Sequence, residues 1–198
     1  MKRWHRFAIA VAIAALVPAA GSATYAAFRA TGSNDGDRLE AGSVKIADND
    51  SGGAMLSFSG GYPGHTDTGC IEVTYTGSLD AAVRLYGTTT GTGLDQYLDL
   101  KVTRGTYSPS NPGFDSCTNF SADATNYIGA GAGVVYNGTL QGYADDYAGG
   151  LVDPTSGSPE TWTSGEKHAY KIQVTLQNNA GAAGKNATQD FTWEARNQ

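Results

Sequence analysis

The chain has 198 residues, of which only 16% are charged, and its formal net charge is −6. A chain of this length suits one domain with a single core, and an acidic chain without a basic cluster is a poor candidate for binding nucleic acid or anionic lipid. Frequent glycine (27 residues), abundant serine and threonine, and the lack of Leu-rich helical periodicity favour an all-β fold.

The first 26 residues have the layout of a secretory signal peptide. The basic residues at its start are Lys2, Arg3 and Arg6. The apolar run that follows, 7–17, has roughly 11 residues, whereas a membrane-spanning helix needs about 20, so a retained anchor is the weaker alternative. Small residues fit cleavage after Ala23 or after Ala26. Cleavage after Ala26 removes three positive charges and no acidic residue, so the net charge of 27–198 becomes −9.

Short segments in which every second residue is apolar predict seven to nine β-strands, arranged as a sandwich or barrel. The clearest of these segments are 39–47, 55–59, 70–76, 81–86, 98–103, 170–176 and 191–195. Between them, the irregular stretch 105–133 is predicted to be a long loop, with or without a short helix. We interpret 137–147 as a short helix or an edge element, and 153–165 as a turn-rich connection.

Cys70 and Cys117 are the two cysteines of the chain. In an exported protein two cysteines are expected to pair, and by chain entropy alone such a loop contributes about 3–4 kcal/mol. Two buried free thiols are the alternative. A C-x-x-C motif is missing, so the sequence indicates neither a redox enzyme nor a zinc ribbon.

Residues that bear catalytic chemistry are few. His65 and His168 are the histidines after residue 26, and neither belongs to an H-E-x-x-H motif. A peptidase zinc site needs two or three histidines and a carboxylate, so both are expected to be solvated surface residues. The stretch Asp48–Gly52 alternates oxygen ligands but lacks the rest of a calcium loop, and we interpret it as a polar turn. Asp145, Asp146 and Asp153 are interpreted in the same way.

The many tyrosines admit two interpretations. They could line a carbohydrate-binding face, or they could pack on the sheets and anchor loops, which explains most of them. The tyrosines in question are Tyr62, Tyr75, Tyr86, Tyr97, Tyr107, Tyr127, Tyr136, Tyr143 and Tyr147. The sequence therefore predicts no catalytic, cofactor-binding or metal-ligating residue, and we do not expect an enzyme.

Four blocks of sequence resemble the TasA/camelysin family of exported Gram-positive proteins. They are TYAAF at 24–28, LEAGSVKI at 39–46, CIEVTYTGSLDAAVRLYG at 70–87 and QDFTWEARNQ at 189–198. The first resembles the cleavage signature read by the signal peptidase SipW. The second and third resemble the family's opening strand and its strand–turn–strand unit, and the fourth resembles its final strand.

The resemblance implies a jelly-roll-like antiparallel β-sandwich over 27–198 and cleavage between Ala26 and Ala27. It also implies a role at the cell surface or in the extracellular (biofilm) matrix. Fibre-forming members give their N-terminal segment to a neighbouring subunit as an extra strand. Here 27–38 would be that donor segment and Phe28 its anchor, although its glycine and asparagine content weakens it as a strand.

The expected function is accordingly a secreted structural protein that self-associates into fibres by donor-strand exchange. Other matrix or cell-wall components are further possible partners, and no cofactor, nucleic acid or membrane is expected after cleavage. Two alternatives stay open. One is a camelysin-like cell-surface metallopeptidase, and the other is a monomeric carbohydrate- or surface-binding module.

Overall fold

The computed structural model describes residues 29–31 (backbone only), 44, 46–52, 55–56 and 61–197. The signal peptide, the cleavage residues Ala26 and Ala27, and Phe28 lie outside the described residues. Most of the strand predicted over 39–47 lies outside them too.

The described residues form thirteen β-strands and three short 3-10 turns. The strands are β1 (Arg29–Thr31), β2 (Ile46–Asp48), β3 (Thr66–Tyr75), β4 (Ala81–Gly91), β5 (Leu98–Tyr107), β6 (Phe120–Ala122), β7 (Val134–Thr139), β8 (Leu151–Val152), β9 (Pro154–Thr155), β10 (Ser158–Pro159), β11 (Thr161–Trp162), β12 (Lys167–Leu176) and β13 (Ala187–Asn197). The 3-10 turns are Asp95–Tyr97, Leu140–Gly142 and Ala180–Ala182. In this part of the chain, no helix is long and apolar enough to cross a bilayer.

The strands build two antiparallel sheets. The first has the order β1-β13-β4, and β8 and β11 both pair with the far edge of β4. The second has the order β2-β3-β12-β5, and β6 and β7 both pair with the far edge of β5. A two-stranded ribbon of β9 and β10 lies apart. The predicted all-β sandwich is confirmed.

The core lies between the sheets and follows the period-two pattern of the sequence. In β3 the inward residues are Ile71, Val73 and Tyr75, as predicted. The other main strands contribute a matching set of buried side chains: Ala81, Val83, Leu85, Leu98, Leu100, Val102, Tyr170, Ile172, Val174, Trp193 and Ala195. Trp162 of the short strand β11 is also fully buried.

Two of the three predictions for the irregular stretches need correction. The loop predicted over 105–133 is wrong in part, because β5 continues to Tyr107 and β6 pairs with its end. The connection 153–165 contains three short strands. In both, backbone pairing to a neighbouring strand overrides a local sequence rich in glycine and polar residues. In 137–147 the predicted edge element is confirmed, because β7 pairs with the far edge of β5 and is followed by the turn Leu140–Gly142.

The strand predicted over 55–59 is not seen where it is described: Met55 and Leu56 lie in no strand, and 57–59 lie outside the described residues. The predicted disulfide is present. Cys70 of β3 is bonded to Cys117, with the two Cα atoms 5.1 Å apart.

Candidate functional site

The N-terminal strand β1 lies at one edge of the first sheet. It pairs antiparallel with β13 in the register Arg29↔Arg196, Ala30↔Ala195 and Thr31↔Glu194. Only three residues of β1 take part, whereas β13 has eleven. Over Ala187–Trp193, β4 is the only described strand that pairs with β13. As far as the described residues go, the outer side of Ala187–Trp193 carries no paired strand, and such an edge accepts a further strand.

A cavity opens beside this edge of β13, and we call it the edge groove. Its volume is about 630 Å³. Its apolar lining comes from both sheets and includes Ile71, Leu98, Val174, Phe191 and Trp193. Phe191 is only half-buried. The edge groove thus reaches side chains of the hydrophobic core from the side of the sandwich.

The rim of the edge groove is polar. The carboxylates of Asp48 and Asp50 accept the backbone N–H groups of Asp50 (3.2 Å) and Gly52 (2.7 Å). These are the local bonds of Asx turns, so the stretch folds as the predicted polar turn. Burial, aided by the nearby Asp50, raises the pKa of Asp48. Lys185 and Asp190 complete the rim.

A second site, which we call the Arg104 cluster, shares no residue with the lining of the edge groove. Arg104 of β5 and His168 of β12 belong to the second sheet, and the segment 151–162 beside β4 packs against them. Arg104 continues the core-facing series of Leu98, Leu100 and Val102, and only 4% of it is exposed. A charged residue at a core-facing position is rare unless it is paired.

Three carboxylates surround the guanidinium group of Arg104. Asp123 lies 2.7 Å from Nη1, Asp153 lies 3.1 Å from Nε, and Glu160 contacts Nη2. Asp153 is buried as well, and it accepts hydrogen bonds from Trp162 Nε1 (3.0 Å) and the Tyr170 hydroxyl (2.9 Å). These contacts join the segment 151–162 to the second sheet.

The charges of the Arg104 cluster are fixed by its surroundings. Burial opposes the charge on Arg104, but Asp153 and the other acids raise its pKa above its usual value, so it stays protonated. Burial raises the pKa of Asp153, while Arg104 and the two hydrogen bonds oppose that rise. Burial also keeps the Tyr170 hydroxyl protonated, by raising its pKa, and thus able to donate.

The residues of the Arg104 cluster do not suit a catalytic metal. Asp153, Glu160 and His168 each place a ligand atom within 4.8 Å of the others. However, the guanidinium group of Arg104 contacts both carboxylates and lies 2.8 Å from His168 Nε2. A fixed cation therefore neutralises the acids that a divalent ion would need.

The two histidines lie at opposite ends of β12. His168 is near its start, and the carbonyl of His65 accepts the N–H of Leu176 at its end (2.9 Å). Eight residues of extended strand separate the two ends by about 26 Å. A zinc site that uses both histidines is thus not formed. The prediction that His168 is solvated is wrong, because its side chain is 13% exposed and packs on Trp162.

The tyrosines mostly pack or anchor loops. Tyr75, Tyr143 and Tyr170 are buried, and Tyr107 donates to the carbonyl of Ser116 (3.0 Å). Among the described tyrosines, Tyr62 alone is mostly exposed, at 66%. A glycan platform built from several exposed tyrosines has little support in this arrangement.

Sequence reasoning missed the Arg104 cluster. Asp153 was expected in a polar turn, but it is 2% exposed. Glu160 and Arg104 had no assigned role. One sequence signal could have indicated this site. Arg104 is the next alternate position after the apolar residues Leu98, Leu100 and Val102, which places it on the core-facing side of the strand.

Comparisons with known proteins assign no family. No family model matches the chain, and no curated protein matches it.

Proposed function

We propose that this chain is a secreted structural protein of the cell surface or extracellular matrix, a fibre subunit that assembles by donor-strand exchange. The proposal includes export by the signal peptide, cleavage between Ala26 and Ala27, and membership of the TasA/camelysin family. The observation that carries it is the pairing of β1 with the edge of β13. The segment named as donor from its sequence supplies an edge strand in the folded chain.

The same pairing between two copies would be donor-strand exchange. Replacing an intramolecular strand by the identical strand of a neighbour keeps every contact, so it requires little free energy beyond the entropy of association. Three paired residues hold β1 only weakly in its own chain. An extended segment that completes a sheet edge gains main-chain hydrogen bonds and can place side chains in adjacent pockets.

In the exchanged assembly we expect the observed register to continue. Gly32 would then face Trp193, and Arg38 would face Ala187, at the start of β13. In the other direction Phe28 would face Asn197, on the same sheet face as residue 30. The partner of residue 30, Ala195, is fully buried. Phe28 would therefore point toward the core and act as the anchor.

A peptide experiment tests the acceptor directly. We would prepare the protein from Leu39 to Gln198 and add a synthetic peptide of residues 27–38, with a scrambled peptide of the same composition as control. The proposal predicts saturable 1:1 binding of the native peptide alone. It also predicts slower amide hydrogen exchange over Ala187–Asn197. Absence of binding, or protection at β3 instead, would contradict it.

A further inference from the structure

A second strand that lines the edge groove, β3, pairs with β2 at one end of its outer edge, and the described part of the remaining edge is capped. Beyond its pairing with β2, three alternate N–H groups point outward along this edge, and each has an acceptor. Thr68 donates to Asp67 Oδ1 (2.9 Å), Cys70 to the carbonyl of Asp115 (3.1 Å) and Glu72 to Asn49 Oδ1 (2.9 Å). A strand edge whose donors are occupied cannot add another strand.

The middle cap lies next to the disulfide. Asp115 is two residues from Cys117, whose bond to Cys70 holds the segment against β3. Asp115 has a φ of 61°, in the left-handed region that Asp and Asn adopt more readily than other L-residues do. A further tie is the hydrogen bond from the Tyr107 hydroxyl to Ser116. The neighbouring Phe114 lines the edge groove, so the same segment forms part of its wall.

We infer that the Cys70–Cys117 disulfide is a redox-sensitive guard of the β3 edge. While it is intact, it closes this edge and holds Phe114 in the groove wall, so that strands add at β13. Once it is reduced, the segment 108–119 moves away and the N–H of Cys70 is freed, which opens the middle of the β3 edge to a backbone acceptor of a second copy. The opening of the edge is independent of the proposed function, whereas its effect on assembly rests on it.

The reduction is an ordinary thiol–disulfide exchange with a dithiol. Cys117 is half-buried and Cys70 is fully buried, so the dithiol attacks the sulfur of Cys117 and Cys70 leaves as a thiolate. The second thiol of the reagent then closes its own disulfide and releases Cys117. Two electrons pass from the dithiol to the protein, and both cysteines end as thiols.

Amide hydrogen exchange of the protein from Ala27 to Gln198, with and without dithiothreitol, tests the guard. We expect the Cys70 amide to exchange at least tenfold faster after reduction, whereas the Glu72 amide, capped by Asn49, is unchanged. The double variant Cys70→Ala/Cys117→Ser should exchange fast at position 70 in both conditions. The variant Asn49→Ala should open Glu72 alone, whatever the redox state.

Two outcomes would overturn the inference. One is a Cys70 amide that stays protected after a thiol count shows complete reduction. The other is loss of protection at core amides such as that of Ile172, because reduction would then unfold the domain rather than open one edge. If the protein forms no polymers under any condition, the proposed function fails. The hydrogen-exchange result still tests whether the disulfide keeps the β3 edge closed.

Discussion

The Arg104 cluster and the edge groove share no residue, and different kinds of contact complete the sandwich in each. In the cluster, one guanidinium group and three carboxylates fix the segment 151–162 against the second sheet. In the groove, apolar side chains line a cavity beside Ala187–Trp193, and the three residues of β1 pair with β13 only beyond this stretch, at Glu194–Arg196. A buried ion pair is stable only in a narrow range of geometries. An apolar groove beside a strand edge can bind any extended segment with suitable side chains. We therefore expect the contacts of the Arg104 cluster to be permanent, whereas the strand that pairs with the β13 edge can be exchanged.

The largest expected effect is on the free energy of unfolding when the Arg104 cluster is changed. Asp153→Ala leaves Arg104 short of a carboxylate and leaves the donors of Trp162 and Tyr170 without an acceptor. Breaking a buried pair in this way lowers the free energy of unfolding by about 3–5 kcal/mol. Urea unfolding measures it. The exposed Asp145→Ala serves as control and should stay within about 0.5 kcal/mol of the parent.

If Asp153→Ala cost less than 1 kcal/mol, the Arg104 cluster would not hold the segment 151–162 in place. Binding of the 27–38 peptide by the folded variant should be unchanged, since no residue of the Arg104 cluster lines the edge groove or pairs with β1. A parallel loss of peptide binding would show that the Arg104 cluster and the edge groove are coupled, and the two sites would then not differ as described.

A smaller effect, on the affinity of the peptide, is expected from a change in the donor segment 27–38. Phe28→Ala removes the only large apolar side chain of 27–38, and burial of a Phe contributes about 1.5–3 kcal/mol. We expect the variant peptide to bind at least tenfold more weakly to the protein that starts at Leu39, as measured by isothermal titration. Arg38→Ala, at the far end of the segment, is the matched control. Equal binding by both variants would exclude Phe28 as anchor.

The smallest effect concerns pH. Burial raises the pKa of Asp153, so the native state holds this proton more tightly than the unfolded chain does. Its contribution to stability is therefore complete below about pH 4, near the usual Asp pKa, and is lost as the pH rises through the raised value. Asp153→Asn has no such titration. Urea unfolding from about pH 4 to 7 should thus favour the variant progressively, and the reverse trend would show that Arg104 lowers this pKa.

The long strands could be predicted from sequence because their pattern is local. Ile71, Val73 and Tyr75 alternate with polar residues, and each is buried as expected. The sequences of β6 and of β8–β11 carry no such alternation. These strands form only because they pair with β4, with β5 or with each other. Their formation depends on neighbours that are distant in the chain.

The sites divide in the same way. The pairing of Cys70 with Cys117 follows from counting cysteines, and the polar turn over Asp48–Gly52 follows from its composition. The burial of Asp153 could not be predicted, because it depends on a fold-back that brings Trp162 and Tyr170 together around it. The edge groove likewise requires both sheets to be in place.

We propose that the N-terminal segment assembles the protein through the β13 edge. Negative-stain electron microscopy of residues 27–198, disulfide intact, beside the protein that starts at Leu39, tests it most directly. We expect fibres from the first protein and none from the second. Monodisperse particles from both across salt and pH, or fibres from both, would contradict it.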